Sequence, residues 1–78
     1  MMQVHLTHRE FQLLYLLDAH KGQVLEAGQL IEKIWGYTGQ GDKNALRNLV
    51  RKLRAKLDEH ADEESFIETI PNMGYRLR

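Results

Sequence analysis

The apolar positions along the chain form three helical patterns followed by a short alternating one. From Phe11 to Leu17 the residues Phe11, Leu13, Leu14, Tyr15, Leu16 and Leu17 are apolar almost all the way round. That pattern predicts a first helix, about 7–20, that is central and packed on several sides. Its start is marked by Thr7-His8-Arg9-Glu10, a capping box in which the Thr7 hydroxyl accepts from the Glu10 N–H and the Glu10 carboxylate reaches back. Leu6 and Phe11 hold the two positions of a hydrophobic staple around it. Gly22 is a natural stop, with His20 and Lys21 suited to the negative end of the helix dipole. Ahead of this helix, Met2 to Leu6 reads as a short strand, and after it Gln23-Val24-Leu25 reads as a short extended piece.

A second helix, about 27–36, places Ala27, Leu30, Ile31, Ile34 and Trp35 on one apolar face,. Its start is poor, because Glu26 lacks the preferred N-cap chemistry and Gly28 costs about 1 kcal/mol against alanine. The glycine-rich stretch from Gly36 to Gly41 is a loop, and Asp42 can cap the next helix. In that third helix, about 43–58, Leu46, Leu49, Val50, Leu53 and Leu57 recur with helical period and define a buried stripe,. Residues 59–65 form a polar connection. Residues 66–70 and 75–78 then read as the two strands of a hairpin around Pro71-Asn72-Met73-Gly74. The chain is mainly α with a C-terminal β-hairpin, and the expected organisation is a single domain over 1–78.

Charge changes the picture through its placement. The chain carries 11 basic and 11 acidic residues and has no formal net charge, a sum that argues superficially against nucleic acid. Yet Lys43, Arg47, Arg51, Lys52, Arg54 and Lys56 form a cationic block, and Asp58, Glu59, Asp62, Glu63, Glu64 and Glu68 an anionic one. Charge acts within a Debye length of about 8 Å at physiological salt, so segregation matters more than the total. On a wheel at about 100° per residue, with the leucine stripe inward, Asn44, Asn48, Arg51 and Ala55 point away from the core. Lys52 lies beside them, and Arg47 and Arg54 lie on the shoulders. Arg or Lys reads guanine, Asn reads adenine, and small side chains allow close approach to a major groove. Flanking cations neutralise phosphates and fix register. An isolated basic helix face is most often solvated surface, but a helix pair whose second member is basic, followed by a hairpin, has the layout of a winged helix-turn-helix, with the second helix of the pair in the groove.

Four stretches carry a family resemblance. LTHREFQLLYLL resembles the LTxxEFxLLxLL opening of the OmpR/PhoB-type winged-helix effector domains of bacterial response regulators, and KGQVLEAGQLIEKIWGY their GxVVSREELLExVWGY. RNLVRKLRAKLD resembles their VHIRRLRKKLE, and FIETIPNMGYRLR their LIKTVRGVGYRL. The resemblance spans nearly the whole chain in the right order. It implies sequence-specific binding of double-stranded DNA in transcription regulation, as part of a cytoplasmic two-component phosphorelay. Base and phosphate contacts would fall on Asn44, Ala45, Arg47, Asn48, Arg51, Lys52 and Arg54. Trp35 would lie by the DNA backbone, and Thr69 and Tyr75 near phosphate. The apolar face of the second helix equally makes Trp35 a core anchor that offers its N–H outward, and Tyr75 is divided in the same way between wing packing and phosphate. The loop Gly36, Tyr37, Thr38, Gly39, Gln40 and Gly41 would be the place to touch RNA polymerase, and tandem or dimeric binding on DNA would be expected.

The departures are as informative. The family's usual Asp in the recognition helix is Arg47 here, and its frequent His is Leu49, so base preference does not transfer. Pro71 stands where an Arg often enters the minor groove, and a proline supplies no cation there. IPNMGYRL is closer to a ToxR-like wing. Glu26 replaces the Ser N-cap of the second helix and would repel a nearby phosphate, which leaves more of the binding to the third helix. Family members carry a small sheet and a receiver domain ahead of the first helix. Only Met2 to Leu6 could stand for the sheet, so the chain reads as a piece of a larger regulator or a reduced domain.

Other chemistries find little support. Absence of cysteine excludes a disulfide framework, a cysteine-based zinc site and a cysteine nucleophile. His5, His8, His20 and His60 are scattered, and DEHADEE lacks the glycine and ligand spacing of a calcium loop. Neither a metal nor a cofactor is expected. No nucleophile–base pair or carboxylate dyad emerges, so the chain is not read as an enzyme. No apolar run approaches the roughly 20 residues that span a bilayer. The alternative to DNA binding is a winged-helix module that has lost it and binds protein instead, docking the basic helix on a partner.

Overall fold

The structure is a computed structural model that describes residues 5–36, 41–57 and 66–78. Helix α1 spans His8–Ala19, strand β1 Leu25–Glu26, helix α2 Ala27–Trp35, helix α3 Lys43–Leu57, strand β2 Ile67–Ile70 and strand β3 Gly74–Leu77. Each expected helix is present within a residue or two of its sequence bounds. His5 and Leu6 belong to no strand, and the rest of the expected first strand lies outside the described residues.

Local chemistry sets the helix ends. Thr7 is extended and closes the capping box as read from the sequence. Its side chain accepts from the Glu10 N–H at 3.2 Å, and Glu10 Oε1 accepts from the Thr7 N–H at 2.9 Å. At α2 the weak N-cap is offset from elsewhere. Gln29 Oε1 accepts from the Glu26 N–H at 3.2 Å, and the Ala27 N–H donates to the Met73 carbonyl at 3.1 Å. Asp42 caps α3 through Oδ1, which accepts from the Ala45 N–H at 2.7 Å.

The hairpin belongs to a larger sheet than the sequence suggests. β2 and β3 are joined by β1 in an antiparallel sheet of order β1-β3-β2, with Leu25 opposite Tyr75 and Glu26 opposite Gly74. Gly74 is required by that pairing. A Cβ there would lie 1.9 Å from the Leu25 carbonyl oxygen, so only glycine lets β1 approach. The turn puts Pro71 before Asn72, which adopts φ +63°, and the Met73 N–H donates to the Ile70 carbonyl at 3.1 Å. Proline at the second position and a left-handed asparagine at the third suit a type II turn.

The core comprises Leu13 and Leu17 of α1, Leu30, Ile34 and Trp35 of α2, Leu46, Leu49, Val50 and Leu53 of α3, and Ile67 and Leu77 of the sheet. As expected, α1 packs on several sides, against α2, α3 and β3, but one arc stays open. Phe11 is 57% exposed and Tyr15 65%, and their rings stack on each other at 6.4 Å. Leu6 packs against the core, whereas Phe11, the other staple position, faces outward.

α1 and α3 are pinned by a charge. Glu10 is 2% exposed, and its Oε1 accepts from the Lys56 ammonium at 2.5 Å as well as from Thr7. Lys56 also donates to the His5 carbonyl at 2.9 Å. Burial works against the ionised carboxylate, but the Lys56 ammonium and the Thr7 N–H outweigh it and hold the Glu10 carboxyl below its ordinary value,.

Candidate nucleic-acid interface

Helix α3 has 15 residues, about 22 Å at 1.5 Å per residue, and its two sides are chemically separate. Leu46, Leu49, Val50 and Leu53 are buried, while Asn44, Asn48, Arg51 and Ala55 are exposed on the opposite side. Arg47 and Lys52 are exposed on its two shoulders. Leu49 turns into the core at 8% exposure.

The cations of α3 divide by what they touch. Lys56 is spent on Glu10. Arg54 is half-buried, and its Nε and Nη2 donate to the Ile67 carbonyl at 3.0 and 2.8 Å. Nη2 also donates to the Thr69 hydroxyl at 2.5 Å. Arg54 therefore clamps α3 to β2, and a planar fork is the geometry such a bidentate clamp needs. Lys43, Arg47, Arg51 and Lys52 make no ion pair or side-chain hydrogen bond among the described residues. Their charge is left on the outward surface.

Two depressions flank α3. On the wing side, Lys43 and Arg47 face Thr69, Pro71, Met73 and Tyr75 across a groove of about 450 Å³. On the other side, Ala45, Asn48 and Lys52 face Thr7, His8 and Arg9 across a trough of about 740 Å³ that includes Trp35. Trp35 is 8% exposed and part of the core, and the Arg9 guanidinium carbon lies 5.3 Å from its ring centroid, within cation–π range. Gly41 rests on the same indole. A Cβ there would lie 2.7 Å from Trp35 Cβ and Cγ, so glycine lets the chain enter α3 directly against the tryptophan.

The structure thus gathers Asn44, Arg47, Asn48, Arg51 and Lys52 on one exposed surface, with half-buried Ala45 at its edge. It turns Trp35 inward, and it ties Arg54 and Thr69 to each other rather than leaving them open. Tyr75 is half-buried, packed against the core and beside the wing groove. Of the loop expected to meet a polymerase, Gly36 and Gly41 are described, and 37–40 lie outside the described residues. Sequence reasoning passed over Arg9. Its signal, a cation at the second helical position of α1, gains meaning only once α1 is seen beside α3. Among the described residues no group of three or more His, Asp or Glu could hold a metal ion, and no helix is long and apolar enough to cross a membrane.

Comparison with known proteins agrees over almost the full length. The family described as transcriptional regulatory protein, C terminal, matches residues 2–77. The transcriptional regulatory protein KdpE of Staphylococcus aureus is 41% identical over 76 residues, which cover 96% of this chain and 33% of KdpE. The chain therefore spans about a third of that relative's length. The crystal structure of the DNA-binding domain of Bacillus subtilis CssR superposes with a TM-score of 0.82 at 36% identity, covering 96% of this chain and 80% of that one. The Klebsiella pneumoniae RstA DNA-binding domain, crystallised in complex with the RstA box, superposes with a TM-score of 0.80 at 31% identity, covering 95% of this chain and 73% of that one.

Proposed function

The chain belongs to the family of C-terminal domains of transcriptional regulatory proteins, and from that premise we propose that it binds double-stranded DNA sequence-specifically, as the effector domain of a cytoplasmic response regulator. α3 enters the major groove, Arg51, Asn48 and Asn44 face base edges, and Arg47 and Lys52 meet the phosphates that border it. The β2–β3 hairpin lies on the flanking backbone. One observation carries this reading. The cations of α3 that the fold uses internally are Arg54 and Lys56, and those it leaves exposed are the ones around the outward asparagines. Exposed cations grouped around outward amides are the set that a groove-reading helix presents to bases and phosphates. The role is binding, and no catalytic step is assigned to it.

Contacts of this kind release counterions, so log K should fall with log salt by about 0.9 per phosphate neutralised. The binding site can be recovered by selection from a random duplex pool and footprinted. Against it, Arg51→Ala should cost about 1–3 kcal/mol and relax base choice at one position, the size expected of a bidentate guanine contact. Unchanged affinity and base preference in that variant would remove α3 as the reader. The exposed Phe11–Tyr15 face favours the second reading, a module that binds protein. Failure of the parent chain to shift any random duplex at low salt would select that reading instead.

A further inference from the structure

We propose that Arg9, on the first turn of α1, is a second phosphate anchor that grips the DNA strand on the side of α3 opposite the wing. This rests on the DNA-binding reading and adds to it a contact outside the helix pair and the hairpin. With Asn44, Asn48, Arg51 and Ala55 facing outward, Lys43, Arg47 and Arg54 lie toward the wing, and Ala45 and Lys52 lie toward α1. A major groove is about 12 Å wide and bordered by one phosphate strand on each side. A helix seated in it therefore has a strand along each flank. The wing groove serves one of them, and the trough between α3 and the start of α1 faces the other.

The chemistry of that trough suits a phosphate. Arg9 stands on the α1 wall, and Asn48 and Lys52, one helical turn apart, stand on the α3 wall. The acid within it, Glu10, is 2% exposed and already neutralised by Lys56 and the Thr7 N–H. It does not oppose an incoming anion as an exposed carboxylate would. Arg9 is exposed, and no acceptor for its N–H groups occurs among the described residues. Its contact with the indole of Trp35 constrains the side chain through the ring face, which leaves donors in the guanidinium plane for an oxygen. A cation held in place and lacking a protein acceptor loses less freedom on binding than a mobile lysine. Trp35 thereby contributes to the backbone contact through Arg9, consistent with its own near-complete burial.

The test is a salt titration of the 78-residue chain against a random-sequence duplex and against its selected site, comparing the parent with Arg9→Gln, Arg9→Met, Arg9→Lys and Arg51→Ala. Arg9→Gln and Arg9→Met should each flatten the slope of log K against log salt by about 0.9 and weaken binding roughly fivefold at 0.15 M salt. The loss should be equal on both duplexes, because a phosphate contact carries no base information. Arg9→Lys should restore most of the slope. Tryptophan emission and a thermal melt read whether the indole has moved, and Arg9→Met keeps the packing while removing the charge. An unchanged slope in Arg9→Gln and Arg9→Met, with Arg51→Ala still impaired, overturns the anchor and leaves the function intact. Absence of duplex binding by the parent overturns both. A loss confined to the selected site would make Arg9 a base contact and also overturn the proposal.

Discussion

Helices α1 and α3 each give the core a row of leucines, yet they dispose of their remaining sides in opposite ways. α1 is the more apolar in sequence and buries only Glu10, Leu13 and Leu17, leaving Phe11 and Tyr15 in solvent. α3 is dense in charge and buries Leu46, Leu49, Val50 and Leu53. Phase decides this. In α3 the apolar residues recur every three or four positions and fall on one stripe, so each goes inward. In α1 they are nearly consecutive, and a helix flanked by neighbours on limited arcs cannot cover them all. The two helices meet where the buried carboxylate of Glu10 takes the Lys56 ammonium, so part of the cationic charge of α3 goes to holding α1 and the rest stays outward.

The sharpest way to break that contrast is through the stripe. Leu53 is 0% exposed, so Leu53→Ala should cost about 2–5 kcal/mol by lost transfer energy and a cavity, read as a shift of the urea midpoint. A loss below about 1 kcal/mol, under the range for a buried leucine, would mean that α3 is not the centre of the core. Lys56→Met comes next. It strands the Glu10 carboxylate at 2% exposure, but the lysine side chain is 35% exposed and water can partly replace it. About 1–3 kcal/mol is expected at neutral pH.

The same pair has a pH signature. Because folding holds the Glu10 carboxyl below its ordinary value, its contribution is fully present above the unfolded pKa, about 4.3 for glutamate. It is lost as pH falls through the lower folded value. Glu10→Gln should therefore narrow the stability gap between neutral and acid solution. A parent and variant with parallel stability curves from neutral pH down to about pH 3, below the unfolded glutamate value, would deny the pair that role.

The range of each interaction decides how much of the molecule is legible in its sequence. The helices are legible because their period and caps lie within a few residues, as Thr7 with Glu10 and Asp42 with Ala45 show. The outward face of α3 is legible for the same reason, since a wheel needs only the spacing of leucines. The features that escape depend on distant partners. The extended piece at 23–25 overlaps β1, but its pairing with β3 is not legible, because it depends on Gly74 admitting the Leu25 backbone. Periodicity can state that Phe11 and Tyr15 are apolar, but not which arc of the helix has a neighbour. Arg54 looks like its exposed neighbours on the wheel until Ile67, thirteen positions on, is seen to take its fork. Arg9 joins the candidate interface only through the approach of α1 to α3.

Arg54 separates charge from tether. Arg54→Lys keeps a cation on the same shoulder and loses the planar fork on the Ile67 carbonyl and the Thr69 hydroxyl. If the clamp is its main work, stability should fall by about 1 kcal/mol, with faster hydrogen exchange in β2. A phosphate contact alone would leave both nearly unchanged.

The smallest effect belongs to the face that α1 leaves open. Tyr15 is 65% exposed and touches Phe11 through a stack at 6.4 Å. Aromatic pairs gain about 0.5–1.5 kcal/mol beyond area burial in double-mutant cycles, but water already reaches much of both rings. Tyr15→Ser should therefore lower stability by no more than about 0.5 kcal/mol, read from the urea midpoint, and leave duplex binding untouched. Leu17, on the same helix and 0% exposed, should cost several times as much on truncation to alanine. A large loss from Tyr15→Ser would mean that the outer side of α1 is covered in solution, and the contrast between the two helices would then be one of partner rather than of phase.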